Sequence, residues 1–201
     1  MNDFSKTGIV ELAAIVAEHL EQQGIEVVLV GGLAVEIYTH NWYLTKDIDM
    51  VNTNYSPPKA LSSALQELGF HKSGRIYIND STDITLEFPS GPLAVGDTLI
   101  SKDGITRVGN GSIPVIKVEY VVKDRLSAYI HWKDRQSLIQ ALAIILTHEL
   151  APEDFKSFFT AEKALVQYHF FSNVHEAAIQ QNTHTMEQLQ HLVARTLLDE
   201  L

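Results

Sequence analysis

Apolar and polar residues in the first part of the chain follow helical and strand-like periods in turn. Over residues 8–23 the apolar positions recur about every three to four residues, which predicts an amphipathic helix that stops at Gly24. The mostly apolar run over residues 26–30 predicts a buried strand. Two glycines follow this strand, and the apolar residues after them predict a turn and a short helix over residues 33–39.

Short elements continue as far as residue 117. A helix is predicted over residues 61–68, and alternation over residues 75–79 and 83–88 predicts an antiparallel hairpin. The dipeptide Asp103-Gly104 is a strong signal for a hairpin turn between two further strands. The remaining predicted strands are residues 45–51, 98–102, 105–108 and 113–116.

From Val118 onward the period becomes helical and stays so to the end of the chain. Helices are predicted over residues 138–150, 152–171 and 186–198, after a first helical segment that starts at Val118. The pattern therefore predicts an α+β fold in two parts. Residues 1–117 form an α/β core, and residues 118–201 form a helical C-terminal region.

Composition limits the classes of function. The 201 residues include 15 Lys and Arg against 25 Asp and Glu, a formal net charge of -10, which disfavours extended binding to nucleic acid. The absence of cysteine excludes disulfides and thiolate metal sites. The first residues lack a basic region followed by an apolar core, and no apolar run approaches ~20 residues. These features predict a cytoplasmic protein without a membrane partner.

Two aspartates carry the strongest chemical signal. Asp47 and Asp49 lie two positions apart on a predicted strand, so their carboxylates project from the same face. Such a pair is a hard-oxygen site for a divalent cation. Upstream, Gly31 and Gly32 allow the backbone to approach a ligand, and the start of the following helix offers free amides to an anion.

The order of these motifs is more specific than either motif alone. A Gly-Gly turn at Gly31 and Gly32, a short helix and then Asp47-x-Asp49 on the next strand resemble the DNA polymerase beta-type nucleotidyltransferase superfamily. That superfamily often has Ser after the first Gly, whereas this chain has Gly32 followed by Leu33. The all-Gly form is similar to the antibiotic and toxin-antitoxin branch of nucleotidyltransferases.

The resemblance implies a fold and a set of site residues. It implies a nucleotidyltransferase-like mixed sheet flanked by helices, with Asp47 and Asp49 holding Mg²⁺, or Mn²⁺, on the triphosphate of an NTP such as ATP. It also implies a third metal-site carboxylate from a later strand, for which Glu87 is the first choice and Asp83, on the same strand face, the rival. Gly31 and Gly32 would then meet the phosphates.

Weaker candidates each have an ordinary structural explanation. Thr45 is either a phosphate donor or a β-branched strand residue. The segment from Val118 is similar to one in toxin-antitoxin nucleotidyltransferases, which aligns Arg125 with a phosphate-neutralising Lys and leaves Lys123 as a competing candidate. Cations on an amphipathic helix more often face water. Asp134 would orient one of these cations or only cap the next helix.

Three functions follow from this sequence. The first is a metal-dependent transfer of NMP from an NTP to a hydroxyl of a small molecule, a protein or a tRNA end. The second is a catalytically silent nucleotide-binding module, and the third is a partner-binding protein of the same fold. The net charge favours a small-molecule or protein acceptor. One alternative is that a tRNA end binds in a local basic pocket. The residues of that pocket would be Lys117, Lys123, Arg125, Lys133 and Arg135. A further alternative is a cognate antitoxin or a second copy of the chain as partner.

Overall fold

The computed structural model describes residues 2–199, which divide into two compact units. The first unit comprises the chain up to Ala34 together with Leu44–Lys117. The second comprises Val35–Tyr43 and the chain from Val118 onward. The division into an α/β core over residues 1–117 and a helical region over residues 118–201 stays a prediction.

The first unit contains the β-strands that the structure describes, two complete α-helices and the first turn of a third. Its elements are α1 (Ile9–Gln22), β1 (Val27–Val30), the first turn of α2 (Gly31–Tyr38), β2 (Asp47–Asn52), α3 (Pro58–Glu67), β3 (His71–Ser73), β4 (Ile76–Ile78), β5 (Thr85–Glu87), β6 (Ala94–Val95), β7 (Thr98–Leu99), β8 (Ile105–Val108) and β9 (Ile113–Ile116).

A seven-stranded mixed sheet organises this unit. The strand order is β3-β4-β5-β2-β1-β9-β8, while β6 and β7 form a separate two-stranded sheet. Strand β1 runs antiparallel to β2 and parallel to β9, and β2 runs parallel to β5. The predicted α+β fold with a mixed sheet, flanking helices and a following helical region is confirmed.

One face of the central strands forms the core of the first unit. The register places Leu86 beside Ile48, and it places Leu29 between Met50 and Val115. All five side chains are fully buried. Because strand side chains alternate between faces, the residues between these apolar positions point to the opposite side of the sheet. Those intervening positions include the acidic residues of β2 and β5.

The predicted hairpin turn at Asp103-Gly104 is wrong. Strand β7 pairs with β6, and β8 pairs with β9, so the segment Lys102–Gly104 is a short 3-10 turn between two different sheets. A two-residue hairpin needs a turn residue with positive φ. Gly96, between β6 and β7, has φ +54°, whereas Gly104 has no such conformation.

The second unit is helical. Its elements are the remainder of α2, α4 (Val118–Trp132), α5 (Arg135–Thr147), a 3-10 turn (Pro152–Phe155), α6 (Lys156–Ala161), α7 (Leu165–Gln180) and α8 (Met186–Asp199). The helix predicted over residues 152–171 is therefore wrong as a single element. Lys163 has φ +56°, which ends α6 and lets Phe159 and Phe171 pack with their ring centroids 5.6 Å apart. None of the described helices is long and apolar enough to cross a bilayer.

Candidate active site

The parallel pairing of β2 with β5 creates a cluster of polar side chains. Asp47 lies opposite Thr85, and Asp49 lies opposite Glu87. Neighbouring strands are about 4.8 Å apart, so residues in register share a face and approach one another. The buried neighbours Ile48 and Leu86 point the other way, into the core. The predicted acidic residues Asp47, Asp49 and Glu87 are thus brought to one face of the sheet.

Gly31 lies directly against the second aspartate. It has φ +67° and begins α2, and a Cβ added there would overlap Asp49 Oδ2 and lie 3.0 Å from Asp49 Cγ. Only glycine combines this backbone conformation with so close a neighbour. The carboxylate of Asp49 therefore lies against the start of α2.

Gly32 makes a similar approach to the connector before β2. A Cβ added at Gly32 would lie 3.2 Å from Thr45 Oγ1. The same hydroxyl accepts a hydrogen bond from the backbone N–H of Asp47 over 3.2 Å. Thr45 precedes β2, so it is a connector residue that fixes the start of the acidic strand beside the glycines.

Thr85 belongs to the same polar cluster, although the sequence analysis did not single it out. Its Oγ1 donates a hydrogen bond of 2.7 Å to Asp47 Oδ1, which fixes the orientation of that carboxylate. The sequence could have indicated this, because Thr85 lies two residues from both Asp83 and Glu87 and so on the same face of the predicted strand. The partner strand was needed to show that this face lies beside Asp47.

The two candidates for the third acid have different surroundings. Glu87 belongs to β5, is partly buried, and has Oε1 3.5 Å from the Nε of Arg75. Asp83 precedes β5 and forms an exposed ion pair with Lys46. The hydrogen bond between these two side chains and their opposite charges lower the pKa of Asp83 and raise the pKa of Lys46. The strand register therefore favours Glu87 over Asp83 as the neighbour of Asp49.

The acidic face fits a divalent cation by the chemistry of its donors. It offers carboxylate oxygens from Asp47, Asp49 and Glu87, the ligand type that Mg²⁺ and Mn²⁺ prefer. Among residues 2–199, no three His, Cys, Asp or Glu side chains are already grouped closely enough to hold a metal ion. In this conformation Asp47 accepts a hydrogen bond from Thr85, and Glu87 forms an ion pair with Arg75.

Three of the four weaker candidates, Lys123, Arg125 and Asp134, lie in the second unit. Lys123 holds its ammonium 5.4 Å from the centroid of the Tyr120 ring. Arg125 donates from Nε to Asp124 Oδ2 over 3.0 Å. Asp134 is the N-cap of α5: it accepts from the backbone N–H of Gln136 over 2.9 Å. Of the two alternatives for Asp134, the helix cap is the one that the structure contains.

A comparison with protein families supports the interpretation of the first unit. Residues 10–68 match the family model described as "Nucleotidyl transferase of unknown function (DUF2204)". This segment is similar to a nucleotidyl transferase. It contains Gly31, Gly32, Asp47 and Asp49. The predicted resemblance and the predicted class of enzyme, a nucleotidyltransferase, are confirmed at this level.

Two solved structures are similar to this nucleotidyltransferase-like chain. One is the solution structure of the antibiotic-resistance factor ANT(2'')-Ia, with 13% identity, a TM-score of 0.48, and coverage of 80% of this chain and 94% of that one. The other is the crystal structure of ANT(2")-Ia in complex with adenylyl-2"-tobramycin, with 12% identity, a TM-score of 0.44, and coverage of 96% and 98%. No curated protein matches the sequence significantly.

Proposed function

We propose that this protein transfers a nucleoside monophosphate from an NTP to a hydroxyl group of an acceptor, with Asp47, Asp49 and Glu87 as its acidic residues. The observation that carries the proposal is the register of β2 and β5, which pairs Asp49 with Glu87 on the face that Gly31 adjoins. Carboxylates beside a helix entrance provide a cation site next to an anion site.

The proposed reaction is a substitution at phosphorus. The acceptor oxygen forms a bond to the α-phosphorus, and the bond from that phosphorus to the oxygen bridging to the β-phosphate breaks. Pyrophosphate leaves with the bonding electron pair. The proton of the acceptor hydroxyl passes to a carboxylate oxygen of Glu87 and from there to water.

The residues of the cluster have distinct roles in this proposal. Gly31 and Gly32 present backbone amides at the start of α2 to the phosphates. Asp47 and Asp49 would hold Mg²⁺ or Mn²⁺, which neutralises charge on the triphosphate when bound. Thr85 keeps the carboxylate of Asp47 oriented through its 2.7 Å hydrogen bond. Glu87 faces the acceptor.

The leading acceptor class is a small molecule or a protein hydroxyl. Affinity for a long polyanion requires many clustered Lys and Arg. The chain has a net charge of -10, so long RNA is disfavoured. A cognate antitoxin as partner stays a prediction.

The most direct test of function uses α-labelled NTPs and Mg²⁺. The protein is incubated either with total tRNA or with an extract of metabolites and proteins, and the labelled products are separated by size. Label in a small molecule or protein is expected. Label chiefly in tRNA would reverse the conclusion about the acceptor. NTP binding without any labelled product would instead favour a silent nucleotide-binding module.

Glu87→Gln and Asp83→Asn distinguish the two candidates for the third acid. We expect Glu87→Gln to lower the rate of NMP transfer about 100-fold or more, because it removes a proton acceptor but leaves Asp47 and Asp49 to bind the nucleotide. Asp83→Asn removes only an exposed ion pair with Lys46, so its rate should stay near that of the unmodified protein. Rates are compared at saturating NTP.

Thermal shifts with Mg²⁺ and NTP serve as the control for nucleotide binding in both variants. The opposite pattern, in which Asp83→Asn is inactive and Glu87→Gln is active, would show that the third acid has been assigned to the wrong residue.

A further inference from the structure

A row of five side-chain positions crosses the main sheet from β1 to β3. The register places Val30 beside Asp49, Asp49 beside Glu87, Glu87 beside Ile76 and Ile76 beside Ser73. Residues that pair in register on neighbouring strands point to the same face of the sheet. The row is therefore continuous, with two carboxylates in its middle, β1 at one end and β3 at the other.

The β1 end of the row adjoins the proposed phosphate site. Gly31 directly follows Val30, begins α2 and lies against Asp49. In phosphoryl transfer the attacking and the leaving oxygen lie roughly in line, on opposite sides of the phosphorus atom. Because pyrophosphate leaves toward Gly31 in the proposed reaction, the acceptor hydroxyl must approach from the other side. That side is the part of the row between Glu87 and β3.

Beyond Glu87 the same face of the sheet is formed by side chains of β4 and β3. These are Ile76 and Ile78 of β4 and their register partners in β3, Ser73 and His71. We call these four residues the β3–β4 strip. Neighbouring strands lie about 4.8 Å apart, so Ile76 adjoins Glu87 and the backbone of Ser73 lies about 10 Å from that of Glu87. A molecule on the strip would thus be within reach of the carboxylate.

The β3–β4 strip offers an apolar contact beside that carboxylate. Both of its isoleucines are partly exposed, and both of its β3 residues are exposed. None of the four residues is acidic, and the neighbouring Glu87 has Oε1 3.5 Å from the Nε of Arg75. Exposed hydrocarbon surface gains free energy by covering another hydrocarbon surface, whereas recognition of a polycation requires clustered acids. The strip therefore favours an uncharged acceptor with an apolar framework.

We propose that the β3–β4 strip binds the acceptor, and that the acceptor is a small molecule whose hydroxyl is carried by an uncharged hydrocarbon ring or chain. This inference rests on the proposed nucleotidyl transfer. The hydrocarbon part packs on Ile76 and Ile78, and the hydroxyl points to the carboxylate of Glu87. Ile76, the strip residue beside Glu87, is thus a residue that determines specificity for the acceptor.

Cyclohexanol and myo-inositol test this proposal without knowledge of the natural acceptor. Both carry hydroxyl groups on a six-membered carbon ring, but only cyclohexanol has a hydrocarbon surface. Each is titrated into protein with ¹³C-labelled isoleucine δ1 methyl groups, and the NMR shifts of the Ile76 and Ile78 methyls are followed. We expect saturable shifts with cyclohexanol and a Kd for inositol about fivefold higher or more. Equal Kd values, or tighter binding of inositol, would overturn the proposal.

Ile76→Ala and the control Ile105→Ala locate the binding surface. Ile105 is also partly exposed, but it belongs to β8, at the opposite edge of the same sheet. Ile76→Ala should raise the Kd of cyclohexanol, measured at the Ile78 methyl, about fivefold, which corresponds to roughly 1 kcal/mol. Ile105→Ala should leave that Kd within about twofold of the unmodified protein. Equal effects of the two substitutions would contradict the assignment.

Thermal unfolding of both variants checks that the fold is retained. Ile76→Val, which keeps the β-branched shape, is a second variant that removes less of the side chain. It should raise the Kd of cyclohexanol by less than Ile76→Ala does, about twofold. The titrations of the unmodified protein with the two probes test the strip independently of either variant.

Mg²⁺ and a non-hydrolysable ATP analogue separate this inference from the proposed function. Together they should stabilise the protein and leave the cyclohexanol shifts at Ile76 in place. Loss of those shifts when the analogue is added would assign the strip to the nucleotide and overturn its assignment to the acceptor. Failure of the analogue to stabilise the protein would count against nucleotidyl transfer, whereas cyclohexanol shifts that depend on Ile76 would still support an apolar binding surface.

Discussion

The double variant Asp47→Asn/Asp49→Asn should lose the stabilisation that Mg²⁺ and an NTP together give to the protein. At a ligand concentration of 100 times Kd, binding to the native state alone adds about 2.7 kcal/mol to the free energy of unfolding. We expect this gain to fall to nearly zero, because both proposed carboxylate ligands are replaced by amides that carry no charge. Thermal-shift titration with Mg²⁺ and each NTP measures it.

The fold should survive the double substitution. Asp47 is exposed and Asp49 is partly exposed, and Asn has nearly the same size as Asp. The melting temperature without ligand should therefore change little. Asp97→Asn/Asp103→Asn is the matched control, because it removes two exposed acids from the same unit. If the Asp47 and Asp49 variant kept the full nucleotide-induced stabilisation, these residues would not be the nucleotide site.

Gly31→Ala should damage both the fold and the site. Ala at φ +67° costs about 1–2 kcal/mol of backbone strain, and its Cβ would overlap the carboxylate of Asp49. We expect the free energy of unfolding to fall by at least that strain and nucleotide-induced stabilisation to be lost, because Asp49 must move away. Urea unfolding and thermal shifts with Mg²⁺ and NTP measure the two effects separately.

Gly74→Ala isolates the backbone contribution. Gly74 has φ +63°, but nothing lies within 4 Å of an added Cβ. This variant should lose a similar ~1–2 kcal/mol of stability and keep its response to nucleotide. Equal nucleotide responses in Gly31→Ala and Gly74→Ala would mean that the close approach of Gly31 to Asp49 has no part in binding.

Local sequence determined the parts of the site that depend on neighbours along the chain. Alternation on one strand was sufficient to place Asp47 and Asp49 on the same face and Ile48 on the other. The glycines after the run ending at Val30 were sufficient to predict a change from strand to helix. In the structure the helix starts at Gly31 itself, two residues earlier than predicted.

The partners of each strand were decided by tertiary structure. The dipeptide Asp103-Gly104 matched a hairpin signal, yet β8 pairs with β9, whose Ile113, Val115 and Ile116 are buried in the main sheet. Short-range sequence signals describe which backbone conformation a turn can adopt. Burial of whole strands decides which turn closes a hairpin.

The same limit applies to the third acid and its neighbours. Strand alternation left both Asp83 and Glu87 as candidates, since they share a face. Only the parallel register of β5 on β2 places Glu87 opposite Asp49 and Thr85 opposite Asp47. The sequence by itself determined the acidic pair and the glycine turn, because both depend on residues a few positions apart. The tertiary structure decided which side chains from distant segments join them, because strand pairing is set by burial across the whole sheet.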